Sequence, residues 1–133
     1  MTDAQTSVVV HLKTLPGQYG LVRLGPEQPL PQWFDGPGLT MATRASDELT
    51  LLCAQDRIPD DVQADLNWRC FRSIGPFAFD ATGIVLSLIR PLSTQGIGIF
   101  VVCTFDGEHI LVQNRDWEKS CRYLAQAGHV FLD

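Results

Sequence analysis

Between Asp80 and Ile99 the sequence places an acidic residue, a glycine three positions on, an apolar helical stripe, a second glycine at 96 and an alternating strand. These residue types point to binding rather than to bond-breaking. Amides in the first turn of a helix lack intrahelical partners and carry partial positive charge. Residues 81–83 are therefore a place where a small anion, such as the carboxylate of a metabolite, would gain charge-assisted hydrogen bonds. Asp80 can also cap that helix by itself, and Gly83 can serve helix–sheet packing alone. Further along, Glu108 offers a carboxylate to an ammonium or basic side chain, or is a solvated turn residue. Thr104 offers a hydroxyl to a ligand, or is a β-branched strand end. Asp106 and His109 are acid–base types, but their spacing is that of a hairpin with no nucleophile beside them, and His109 reads as a strand residue. Cys103 follows Val101-Val102 and reads as a strand thiol. The cysteines at 53, 70, 103 and 121 form no Cys-x-x-Cys pair and show no ligand spacing with histidines 11, 109 and 129. Four reduced, buried thiols, no metal site, no catalytic residue and no cofactor are expected.

The elements that must position these groups follow from periodicity and turn residues. Val8–Leu12 and Tyr19–Leu24 read as strands around the turn Leu15-Pro16-Gly17-Gln18. Residues 25–38 carry four of the eight prolines and form a loop, with one helical turn at 31–34 and Trp33 and Phe34 pinning it to a core. Leu39–Arg44 and Leu49–Ala54 make a hairpin. Residues 55–65 are acidic and irregular, a linker between halves with a helical turn at 60–65. Trp68–Ile74 is a strand. A helix capped by Asp80 carries its stripe at 84, 85, 88, 89 and 92 and ends at Gly96, with Pro91 removing one hydrogen bond and kinking it. Ile97–Thr104 and His109–Val112 flank an Asp-Gly hairpin turn. A second helix, Asn114–Ala127, is capped by Asn114, carries Trp117 and an inner face of Tyr123, Leu124 and Ala127, and precedes a strand at 129–132. The second half is thus β-α-β-β-α-β, two helices on one face of a four-stranded antiparallel sheet. The expected class is α+β, with two ferredoxin-like halves, the first degenerate: residues 1–66 and 67–133.

At 133 residues the chain can bury a sizeable core, and 45% hydrophobic against 19% charged residues is ordinary for a folded domain. A net charge of −5 argues against a nucleic-acid partner, which needs a basic face. There is no apolar run of about 18 residues to span a membrane. Met1–Ser7 has no basic-then-apolar leader pattern, so the expected location is cytoplasmic.

Asp80, Gly83, Leu92, Gly96, Ile97 and Ile99 fall in the register of the Asp-x-Pro-Gly, helix, Leu…Gly-Ile-Asn-Ile signature, with Thr82 in place of proline and Gly98 in place of asparagine. This resembles ACT domains, small ferredoxin-like modules that bind amino acids and regulate enzymes. Phe79-Asp80-x-x-Gly83-Ile84-Val85, Pro91-Leu92 and Thr104-Phe105-x-x-x-His109-x-Leu111-Val112 look like the ACT domains of the CASTOR-type arginine sensor of animals and its small bacterial relatives. The match runs from Trp68 to Val130. The resemblance implies tandem ACT units packed side by side, with an amino acid between the start of the first helix and the hairpin of the second and third strands. Carried over by position, the ligand-binding residues are Asp80, Ala81, Thr82, Gly83, Val85, Thr104, Phe105 and Glu108. The sensor has a glutamate at Ala81 and an aspartate at Glu108, so the pocket is better supported than a guanidinium ligand. The reading is a non-catalytic amino-acid-binding regulatory module that pairs with copies of itself. The alternative is an interaction or oligomerisation module that kept this fold and lost its ligand.

Overall fold

The computed structural model describes residues 8–75, 77 and 82–133. The chain forms two compact units, one of residues 16–69 and one of 1–15 with 70–133. The sequence boundary between 66 and 67 falls inside a strand, β5 (Asp65–Ser73), whose residues 65–69 count to the first of these and 70–73 to the second.

The unit of residues 16–69 contains β2 (Tyr19–Leu24), β3 (Met41–Arg44) and β4 (Leu49–Ala54). The order is β3-β4-β2-β5, all antiparallel. Alternation in β4 sends Leu49, Leu51 and Cys53 into a core with Val22, Phe34 and Ile58. Trp33 and Phe34 do hold the proline-rich loop to this core. Arg57, in the 3-10 turn Gln55–Arg57, ties the same loop down by donating to the carbonyls of Pro37 at 2.8 Å and Phe34 at 3.2 Å. Among the described residues this unit has no α-helix.

The other unit has the expected order: β5, α1 (Ile84–Ser93), β6 (Ile99–Thr104), β7 (Gly107–Gln113), α2 (Trp117–Gln126) and β8 (Val130–Phe131). Its class is α+β, as expected. One detail differs from a four-stranded sheet. The N-terminal strand β1, which starts at His11 rather than at Val8 and ends at Thr14, inserts between β5 and β8. It pairs antiparallel with β5 (Leu12 opposite Ser73) and parallel with β8 (Leu12 opposite Phe131). On its other side β5 meets β7, which pairs with β6. Phe71, Leu88, Leu92, Ile110, Trp117 and Leu124 form the core between helices and sheet. Each fully buried side chain of this kind contributes about 1.5–3 kcal/mol.

Two expected caps are corrected. α1 starts from Gly83, whose φ of +82° is open to glycine and costly for other residues, with no side-chain cap bond. Asp80 and Ala81 lie outside the described residues. Asn114 opens a 3-10 turn, Asn114–Asp116, and α2 starts three residues later. Ala127, expected on the inner face, is exposed.

Pro91 sits in the last turn of α1 and has no N–H for the carbonyl of Ser87. That carbonyl is satisfied from outside the helix. His129 Nε2 lies 2.8 Å from Ser87 O, while its Nδ1 accepts the Val10 N–H at 3.1 Å. An accepting Nδ1 places the hydrogen on Nε2, so the ring donates to Ser87. One buried imidazole thus links the chain before β1 to α1 and closes the gap left by proline.

Among the described residues no helix is long and apolar enough to cross a membrane. The four cysteines are free thiols. Cys53 and Cys70 are buried, and burial pushes Cys70 up to about 12, but Cys103 is exposed, contrary to expectation. It lies at the exposed end of β6, next to the hairpin.

Candidate functional site

The first turn of α1 closes with the Ser87 N–H donating to Gly83 O at 2.9 Å. The amides of Ile84, Val85 and Leu86 therefore have no partner inside the helix. No acidic residue stands in this turn to neutralise the positive end of the helix dipole. Because the helix starts at Gly83, the free amides lie about one turn later than residues 81–83.

Facing them is the β6–β7 hairpin. Thr104 pairs with Gly107, leaving Phe105-Asp106 as a two-residue loop. The Thr104 hydroxyl donates to Gly107 O at 3.1 Å. From β5, buried Ser73 accepts the Glu108 N–H at 2.9 Å and turns its hydroxyl toward Glu108 O at 3.4 Å. Position 107 needs glycine because a Cβ there would lie 2.5 Å from Ser73 Oγ. We expect Gly107→Ala to cost about 1–3 kcal/mol, as overpacking does. Adding Ser73→Ala should return part of that loss, read from denaturant midpoints of the double-mutant cycle. Strictly additive losses would place the conflict elsewhere.

A cavity of about 220 Å³ lies between helix start and hairpin, lined by Phe77, residues 83–86 and residues 104–108. It brings together five of the residues singled out in the sequence: Gly83, Val85, Thr104, Phe105 and Glu108. Thr82 is exposed and does not line it, and Asp80 and Ala81 lie outside the described residues. Sequence reasoning missed Ile84 and Leu86 by starting the helix too early. It also passed over Phe77, whose signal was an aromatic beside the Gly75-Pro76 break.

Glu108 is the chemically unusual member. Its Oε1 is buried with no hydrogen-bond partner, and burial pushes the carboxyl above its ordinary value. A buried acceptor without a donor is costly and is answered by any cation or N–H that enters. Residues 84–86, whose amides have no helical partner, line one wall of the cavity, and Glu108, with its unpartnered oxygen, lines another. That pattern complements a molecule carrying both a carboxylate and an ammonium. Asp106 lines the cavity, whereas His109, next to Glu108 on β7, does not. The His109 ring is buried with Nδ1 unpartnered, and burial with the charge of Arg72 lowers its pKa. Among the described residues no three His, Cys, Asp or Glu side chains are grouped to hold a metal ion.

The family model of the ACT domain matches residues 63–126, and a second family model, of an N-terminal domain, matches residues 17–61. No curated protein matches the chain in sequence. The crystal structure of the protein Atu0741 from Agobacterium tumefaciens is 55% identical, covers 94% of this chain and 93% of its own, and superposes with a TM-score of 0.90. A Vibrio cholerae protein of unknown function, VC0802, described as a possible transport protein, shares the fold at TM-score 0.74 and 15% identity, over 93% of this chain and 95% of its own. The regulatory subunit of aspartate kinase from Thermus flavus shares it at TM-score 0.65 and 11% identity, over 90% and 97%. The chain belongs to the family of the Agobacterium protein, and its residues 63–126 match the ACT domain family.

Proposed function

We propose that the protein is a non-catalytic regulatory module that binds an amino acid between the start of α1 and the β6–β7 hairpin. The observation that carries this reading is the unpartnered Oε1 of Glu108, a residue that lines the same cavity as residues 84–86. The ligand carboxylate meets those amides, and its ammonium meets Glu108. The ACT domain supports a regulatory role, as does the fold shared with an aspartate kinase regulatory subunit. A cavity of about 220 Å³ is below the roughly 300 Å³ at which drug-sized sites begin, and suits a compact zwitterion. Ala81 stands where the arginine sensor has a glutamate, so an uncharged ligand side chain is favoured over a guanidinium.

The test is a thermal-shift screen of the twenty amino acids against the matching simple carboxylic acids. A ligand at one hundred times its dissociation constant stabilises by about 2.7 kcal/mol, which raises the melting temperature by several degrees. An amino acid should do this and shift the amides of 84–86 and 104–108, where the corresponding acid without an ammonium leaves the amides of 104–108 unmoved. No shift with any amino acid would sink the reading.

The second reading is self-association without a ligand, and Phe105 favours it. This residue is 79% exposed at the hairpin tip, and among the described residues β6 pairs with β7 alone. An apolar edge strand invites pairing with a second copy. Light scattering over a wide concentration range that finds a dimer, together with a silent amino-acid screen, would favour it over the first.

A further inference from the structure

A second cavity, of about 270 Å³, lies on the other flank of the first turn of α1. Its walls are mostly apolar: Val8 ahead of β1, Leu86 and Pro91 on α1, and Ala127 at the end of α2, with Ser87, whose hydroxyl donates to the carbonyl of Ile84 at 2.7 Å. His129 also lines it. Both ring nitrogens of His129 are occupied, by Val10 and Ser87, so this wall is fixed in place and offers no polar atom to a guest. Arg90 is the charged residue of the lining. Among the described residues no carboxylate lies within ion-pairing distance of it, in a chain whose net charge is −5.

We propose that this cavity binds a small apolar carboxylic acid, with Arg90 on its carboxylate and the aliphatic walls around its body. Three features argue for that class. The guanidinium is a fork of donors that fits a planar carboxylate with two parallel bonds. The apolar walls favour a body without further polar groups. The volume, below the roughly 300 Å³ at which drug-sized sites begin, suits a short aliphatic or single-ring acid rather than a nucleotide. Leu86, 49% exposed, lines both cavities, so an acid seated here packs against the turn whose amides face the first cavity.

The experiment is a titration of the isotope-labelled full chain with butyrate, benzoate and 3-phenylpropionate, followed by amide NMR shifts. The expected result is saturable shifts at Val8, 86–90 and 127–129 with at least one of the acids. The uncharged benzamide and the variant Arg90→Gln should each bind about tenfold weaker or worse, the loss of one charge-assisted contact. Ala127→Phe, at an exposed position, fills the space and should abolish the shifts. The proposal is overturned if none of the three acids saturates, if benzamide or Arg90→Gln binds as well, or if the shifts centre on 104–108. Shifts at the same amides on concentrating the protein alone would assign the surface to a second copy and also overturn it. A silent amino-acid screen leaves these outcomes untouched, because the two cavities report through different amides.

Discussion

Replacing His129 by alanine is expected to cost about 2–6 kcal/mol, a large share of the roughly 5–15 kcal/mol that holds a domain together. The ring is 4% exposed and serves two backbone groups at once. Its loss leaves the Val10 N–H without an acceptor and the Ser87 carbonyl without a donor. Each buried group so orphaned costs about 1–3 kcal/mol. The Ser87 half of that cost exists because Pro91 cannot donate. Pro91→Ala supplies an N–H one turn after Ser87, at the spacing of an ordinary helix bond. In the His129→Ala background that N–H has an orphan to satisfy. In the wild type, His129 already satisfies it. Pro91→Ala should therefore be more favourable in the His129→Ala chain than alone, by about 0.5–1.5 kcal/mol. Effects of proline on the unfolded chain cancel in this cycle. Denaturant midpoints of the four proteins decide the matter. A loss below about 1 kcal/mol for His129→Ala, or an equal effect of Pro91→Ala in both backgrounds, would show that the ring is not the substitute donor.

The link between Pro91 and His129 was not legible in the sequence, where Pro91 predicted a kink and His129 began a last strand. The two residues are 38 positions apart, and only the folded chain brings the imidazole to the orphaned carbonyl. Local signals did better. β2 and β4 fall at the residues their alternation marks, Tyr19–Leu24 and Leu49–Ala54. The Asp-Gly pair placed the β6–β7 hairpin, and with it Thr104, Phe105 and Glu108. The start of β5 at Asp65 was hidden because Asp65-Leu66-Asn67 lacks strand character, and Asn67 adopts φ +71° within it. The insertion of β1 between β5 and β8 leaves no local trace, since neighbours in a sheet are chosen by long-range pairing. At the site, Asp80 outranks Gly83 as a cap on general preference, yet Gly83 starts the helix. That shifts the free amides to 84–86, of which Ile84 and Val85 belong to the stripe that the sequence assigned to packing.

Glu108→Gln is expected to separate ligand binding from stability, moving them in opposite directions. In the empty site the carboxylate loses hydration and gains no partner for Oε1, which is why its pKa lies above the ordinary value of 4.5. A carboxyl whose pKa is higher in the folded than in the unfolded chain contributes stability in full below the unfolded value. That contribution is lost as pH rises through the folded value. Near neutral pH the wild type has therefore already lost it, and Glu108→Gln, which has no charge to desolvate, should melt at a higher temperature. Below about pH 4 the two proteins should converge. Binding runs the other way. A ligand ammonium needs the ionised carboxylate, so wild-type affinity should climb with pH across the window in which ligand-free stability falls. Removing the charge should weaken the best amino acid of the screen by about 1.5–3 kcal/mol, or about ten- to 150-fold by calorimetry. A simple carboxylic acid, which has no ammonium for Glu108 to hold, should lose nothing. If the variant binds the amino acid as tightly as the wild type, Glu108 does not hold the ammonium. If the variant is also no more stable at neutral pH, the carboxylate carries no burial cost, and the unpartnered oxygen is no argument for a ligand.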